Sequence, residues 1–142
     1  MKYIQQHEPS GGCVFCAAHK TSPDGPHNLV LYRGEFSFVI LNAYPYSNGH
    51  LLVAPVRHVP TLSELSEKDM GKVLAMVEKS MAILKKVMNP EGFNVGLNIG
   101  KVAGAGIEEH LHFHIVPRST GDNQNINWIT HKEWRENFND LL

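Results

Sequence analysis

Apolar residues fall in five short runs along the chain and recur at helical spacing in one long stretch. Residues 28–42, NLVLYRGEFSFVILN, make two alternating runs around Arg33-Gly34 and predict a two-stranded hairpin. Residues 49–59, GHLLVAPVRHV, read as a largely apolar third strand. Pro55 is expected there near an edge or bend, because proline cannot donate to a ladder. Across residues 66–88 the period changes: Met70, Val73, Leu74, Val77, Met81 and Leu84 share one helical face, and Glu78, Lys79, Lys85 and Lys86 lie elsewhere. Ser66 is placed to cap this helix, with Asp69 three residues on, and the late lysines suit its C-terminal dipole. Asn89-Pro90 ends it. The methionines on its apolar face read as core packing.

Two more strands follow, FNVGLNIG and the run ending at Pro117, joined through the loop KVAGAG. In the tail, Trp134, Phe138 and Leu141 stand at helical spacing and predict a short terminal helix. The sum is an α+β chain of about five strands and one main helix. It is read as a single domain over residues 1–142, in which 1–27 form an irregular, Gly- and Pro-punctuated arm.

Composition narrows the chemistry. At 142 residues the chain suits one domain with a real core, and 42% apolar with 19% charged residues is ordinary. A net charge of -1 and the lack of a Lys/Arg block argue against a nucleic-acid polymer as partner. There is no apolar leader at the N-terminus and no run of membrane-spanning length, so a cytoplasmic location is expected. Two cysteines, Cys13 and Cys16, make a poor disulfide scaffold. Nine histidines are the unusual entry. Of these, His7, His19, His27 and His131 lie in polar surroundings and read as surface residues.

Three of the others stand in GIEEHLHFHIVPR. In a strand His110, His112 and His114 face one side, and Leu111, Phe113 and Ile115 the other. The apolar side suits a core. The imidazole side must meet a cleft or a polar layer. Incidental surface histidines, a three-histidine metal site, and a nucleophile with helpers are the readings to separate. About 13 Å along the strand between His110 and His114 is too far for shared bonds of about 2 Å to one ion. A neutral imidazole is nucleophilic near physiological pH.

The run His110-Leu111-His112-Phe113-His114-Ile115-Val116 resembles the His-X-His-X-His-X-X signature of the histidine triad (HIT) nucleotide-binding proteins. LNAYPYSNGHLLVAPVRHV is similar to the segment that precedes the helix in that family, and the element order agrees from about residue 30 to 118. The resemblance implies a five-stranded antiparallel sheet, a homodimer, and transfer or hydrolysis at a nucleotide α-phosphate. It makes His112 the nucleophile that forms a nucleotidyl-histidine, His114 the partner of the phosphate or leaving group, and His50 a further active-site histidine. Asn42 matches the position that contacts ribose, where a carboxamide can both donate and accept. Asn98 is a candidate phosphate contact, and the backbone of Gly104-Ala105-Gly106 could approach a phosphate.

One departure stands out. Several branches carry a Gln-Ser pair before the triad, whereas this chain has Gly106-Ile107-Glu108-Glu109. The glycine-rich form resembles the bacterial branch linked with diadenosine polyphosphate phosphorylases and hydrolases. Alternatives are a phosphoramidase or AMP-ester hydrolase of the same fold, a non-catalytic nucleotide-binding module, and a zinc hydrolase using His112 and His114.

Cys13 and Cys16 form a Cys-x-x-Cys knuckle, half of a four-ligand zinc site, with an inert thiol pair as the alternative. His50 and His58 stand about 26 Å apart if extended, so they cannot share one ion unless the chain folds back. Similarity to zinc-carrying family members, and to the related galactose-1-phosphate uridylyltransferases, implies Cys13, Cys16, His58 and His110 as ligands of one structural Zn2+ per chain.

Overall fold

A computed structural model describes residue 13 and residues 15–17, 29–42, 49–103, 110–120 and 131–141. Strands β1 (Val30–Arg33), β2 (Ser37–Leu41), β3 (Leu51–Pro55), β4 (Gly92–Leu97) and β5 (Phe113–Arg118) form one sheet, with helices α1 (Glu67–Met88) and α2 (His131–Leu141). The order across the sheet is β1-β2-β3-β5-β4, and every pair is antiparallel. The α+β expectation and the hairpin around Arg33-Gly34 hold.

Alternation divides the side chains between two faces of the sheet. Leu31, Val39, Leu51, Val53, Phe113 and Ile115 meet Val73, Met76, Val77, Ile83, Leu84 and Met88 of α1, and Phe138 of α2 closes this core. Val30, Phe38, Ile40, Leu52 and Ala54 turn to the other face, where Cys13 and Phe15 cover them. That second face carries the histidines.

Ser66 caps α1, its hydroxyl accepting from the Asp69 N–H at 3.0 Å, and Asn89 ends it in the left-handed conformation with φ 48°. The buried stripe differs from the expected one. Met76, Ser80 and Ile83 belong to it, while Leu74 is 50% exposed. Leu74 lies about 100° around the helix from Val73, outside the arc that meets the sheet.

Pro55 meets the bend expected of it: it ends β3, and the chain bends at Val56 and Arg57. β3 is central, not an edge, yet its proline is tolerated at the strand end. The Val56 N–H donates to Phe36 at 2.9 Å, so alternation turns the Pro55 nitrogen to the opposite side. There β5 pairs only with Leu51–Val53, and no ladder bond is lost. The strand read through residue 59 stops at Pro55, which places His58 in the turn beyond it. A short 3-10 turn, Leu62–Glu64, was not foreseen, and Lys101–Ala103 of the KVAGAG loop form another.

Candidate active site and metal centre

The triad enters the sheet late. β5 begins at Phe113, so His110 and His112 precede the ladder, where the Leu111 N–H is held by the Val59 carbonyl at 2.7 Å. The imidazole side, expected to meet a cleft or a polar layer, divides between the two. His110 is 0% and His112 7% exposed, and the Phe15 ring covers both, with centroids 5.4 and 4.6 Å away. Only His114 opens onto a cleft. The apolar partners do face cores: Phe113 and Ile115 meet α1, and Leu111 joins Val59 and Leu65.

Gly49 explains how His50 reaches the site. Its φ of +81° is a left-handed conformation that favours glycine, and a Cβ there would run into Met88 and Pro117. The turn is thus pressed between the end of α1 and β5. His50 emerges on the same face as Leu52, against His114.

Hydrogen-bond directions follow from which atoms can only donate or only accept. The Asn42 amide nitrogen donates to His50 Nδ1 at 2.9 Å. His50 Nε2 must then carry the proton, and it donates to His114 Nδ1 at 3.1 Å. A neutral His114 in turn keeps its proton on Nε2. Separately, His112 Nδ1 donates to the carbonyl of His110 at 3.0 Å, which leaves a lone pair on His112 Nε2. The rings of His112 and His114 are 4.9 Å apart.

These imidazoles are held neutral. Burial pushes the His114 pKa down to about 4, helped by His112 and His50. Burial also lowers His50, with the Arg118 guanidinium and then His112 adding to it. His112 is lowered by burial, against the opposing pull of its bond to the His110 carbonyl.

A cleft of about 280 Å³ opens beside the array. His50, His114 and Val116 line one side and Asn94, Gly96 and Asn98 the other. Asn98, the candidate phosphate contact, therefore lines this cleft. Asn42 is buried and turned to His50. Gly104, Gly106, Glu108, Glu109 and Trp128 lie outside the described residues, as do His7, His19, His27 and the side chains of His131 and Trp134.

The second constellation sits behind the first. Cys13 Sγ is 3.2 Å and Cys16 Sγ 3.5 Å from His110 Nδ1, and Cys16 Sγ is 3.3 Å from His58 Nδ1. All four ligand atoms lie within 4.8 Å of one another. Tetrahedral zinc with bonds of about 2.3 Å to sulfur and 2.05 Å to nitrogen needs S···N separations of about 3.5 Å. The donor set fits such an ion. The second nitrogen of His110, Nε2, donates to the Pro55 carbonyl at 2.8 Å, which leaves Nδ1 free of its proton and aimed at the thiols. Cys13 and Cys16 are not joined to each other in a disulfide.

Two features of the site were not read from sequence. Phe15, packed on the nucleophile candidate, was legible only in its place between two candidate ligand cysteines. Arg118 and Asn94, joined by a 2.6 Å bond from Nε to Oδ1, required the β4–β5 register.

A five-stranded antiparallel sheet crossed by one long helix, with interlocked imidazoles on its far face, defines a histidine triad domain. The HIT domain family matches residues 26–121, and the chain belongs to that family. It is 45% identical over 102 residues to "AP-4-A phosphorylase" of Mycobacterium tuberculosis, covering 72% of this chain and 51% of that protein. The chain thus spans about half the length of that curated relative. Among solved structures, a hypothetical histidine triad nucleotide-binding protein of Sulfolobus tokodaii superposes with a TM-score of 0.74 at 27% identity, over 91% of this chain and 93% of that one. A Zn-bound histidine triad family protein of Mycobacterium smegmatis gives 0.70 at 27% identity, over 91% and 94%.

Proposed function

We propose that the chain transfers a nucleotidyl group from a dinucleoside polyphosphate, by attack of His112 at the α-phosphate. The observation that carries this reading is the His112 Nδ1–H bond to the His110 carbonyl, which fixes the lone pair on Nε2 of a buried neutral ring. His112 Nε2 forms a bond to phosphorus. The bond from phosphorus to the bridging oxygen breaks, and its electron pair leaves with the polyphosphate. Water or inorganic phosphate then attacks phosphorus, and the N–P electron pair returns to His112.

His114 supports a polyphosphate leaving group over an amine. With its pKa near 4 it is neutral at physiological pH, so it offers an N–H hydrogen bond and not a ready proton. A polyphosphate departs as an anion and needs only the hydrogen bond. With a phosphoramidate the site must supply a proton to the leaving nitrogen. The relative named "AP-4-A phosphorylase" supports the same class of substrate. Asn98 from the cleft and Asn42 from beside His50 are assigned to substrate, together with the backbone of Gly104 and Gly106.

Cys13, Cys16, His58 and His110 are assigned to one structural Zn2+ per chain, closed by four protein ligands. The ion would tie the N-terminal knuckle to the strand that bears the nucleophile. The chain is read as a cytoplasmic homodimer. Among the described residues no helix is long and apolar enough to cross a membrane, and β4 is an edge strand with Val95 exposed on it and Ile99 exposed just beyond it.

The test is incubation with diadenosine tetraphosphate, with and without inorganic phosphate. Products that contain the added phosphate indicate phosphorolysis, and AMP indicates hydrolysis. Binding without turnover would refute the enzymatic reading.

A further inference from the structure

The cleft has a polar end that the reacting histidines do not use. Antiparallel register sets Gly96 opposite His114, Asn94 opposite Val116, and Gly92 opposite Arg118. By alternation all six face the same side as the histidines. Gly92, Asn94, Gly96 and Asn98 therefore make a stripe of glycine and carboxamide along β4 and just past it. A Cβ built on Gly92 or Gly96 meets nothing within 4 Å. The floor of the cleft is open where bulky residues would have filled it.

Arg118, exposed at the end of β5, reaches the cleft through Asn94, one of its lining residues. Its Nε donates to Asn94 Oδ1 at 2.6 Å, which draws the guanidinium back toward the Asn94–Val116 row. That row is two residues, about 7 Å, from the row of His114. The terminal nitrogens of Arg118 have no partner among the described residues. Glu91, the acid just before β4, has both carboxylate oxygens committed to Thr120. Among the described residues that line the cleft there is no carboxylate. The guanidinium field reaches the catalytic end, because Arg118 helps hold His50 neutral.

We propose that Arg118, braced by Asn94, binds the phosphates beyond the reacting one and selects a polyphosphate chain over a nucleoside monophosphate ester. A planar fork with its Nε tied presents the remaining N–H donors to phosphate oxygens in a fixed direction. The spacing from His114 suits a phosphate further along the same chain. This assignment rests on the nucleotidyl-transfer reading given above, and it names the substrate feature that site recognises.

Two measurements on the full chain separate the ideas. Calorimetric titration with inorganic tripolyphosphate at constant ionic strength requires no turnover. Arg118→Gln is expected to weaken that binding by about tenfold to a hundredfold, the loss typical of hydrogen bonds to a charged group. Arg118→Lys should recover part of it, and Asn94→Ala should lose less than Arg118→Gln. In kinetics, the ratio of kcat/KM for diadenosine tetraphosphate to that for an AMP aryl ester should fall by a similar factor in Arg118→Gln. Unchanged tripolyphosphate affinity, or equal losses on both substrates, would overturn the subsite. If wild type turns over neither nucleotide, the reaction class is wrong, and the tripolyphosphate titration still decides the subsite.

Discussion

His110 serves two neighbours with different atoms: its ring meets the cysteine knuckle through Nδ1, and its backbone carbonyl receives the Nδ1–H of His112 at 3.0 Å. The proposed metal centre and the proposed nucleophile are thus joined through His110, two positions before His112. Anything that displaces His110 moves the group that fixes the tautomer of His112.

Metal content is the first consequence. Untagged, freshly purified protein should carry about one zinc per chain by elemental analysis. Cys16→Ser should lose it and be destabilised by roughly 2 kcal/mol, with Tm lower by about 8 °C for a domain of this size. Metal-free wild type with unchanged Tm would contradict the assignment.

Asn42 gives a sharper test of hydrogen-bond direction. Asn42→Asp keeps the shape but replaces the donor with an acceptor. His50 should then hold its proton on Nδ1, and the His50–His114 bond should reverse. Nitrogen-15 spectra of the imidazoles report the tautomers directly, and kcat should fall about tenfold to a hundredfold. A change confined to KM, with tautomers unaltered, assigns Asn42 to ribose contact alone.

The depressed histidines make stability pH-dependent. His114 titrates near 4 in the folded chain against an ordinary imidazole value of 6.5, so below 6.5 the unfolded chain takes up the proton first. Stability should be flat above that pH and fall between about 6.5 and 4; His50 acts in the same direction. Denaturation midpoints for wild type and His114→Gln across that window check it. The variant should show the shallower decline, and identical slopes would count against a neutral, buried His114.

Much of this was legible in the chain because local chemistry and tertiary demand agreed. Ser66, Asn89 and the 3.6-residue period bounded α1, and alternation put Phe113 and Ile115 in the core. The four metal-site residues, taken from family likeness, meet at one point. What escaped depended on neighbours distant in sequence. Leu74 looks core-facing until the sheet defines which arc of α1 it covers. Pro55 signals an edge or a bend, and only the short β5 shows that it is a bend ending a central strand, where no N–H is required. The burial of His110 and His112 comes from Phe15, some 95 residues earlier.

Gly49 is such a case, ordinary in sequence and constrained in space. Gly49→Ala would strain a φ of +81° and force its Cβ against Met88 and Pro117. A loss of about 1–3 kcal/mol is expected by chemical denaturation. Activity should fall further than stability, because His50 follows directly. A neutral substitution would show that the turn is not under this constraint.

The covalent role of His112 is the central claim, and trapping it is the most direct measurement. Rapid acid- or denaturant-quench of protein mixed with diadenosine tetraphosphate, followed by peptide mass spectrometry under conditions that preserve N–P bonds, should find one nucleotidyl group on His112. His112→Ala should lack the adduct and lose turnover by at least about a thousandfold, while nucleotide affinity stays within about tenfold. Retained turnover in His112→Ala, or an adduct on a different residue, would contradict the account.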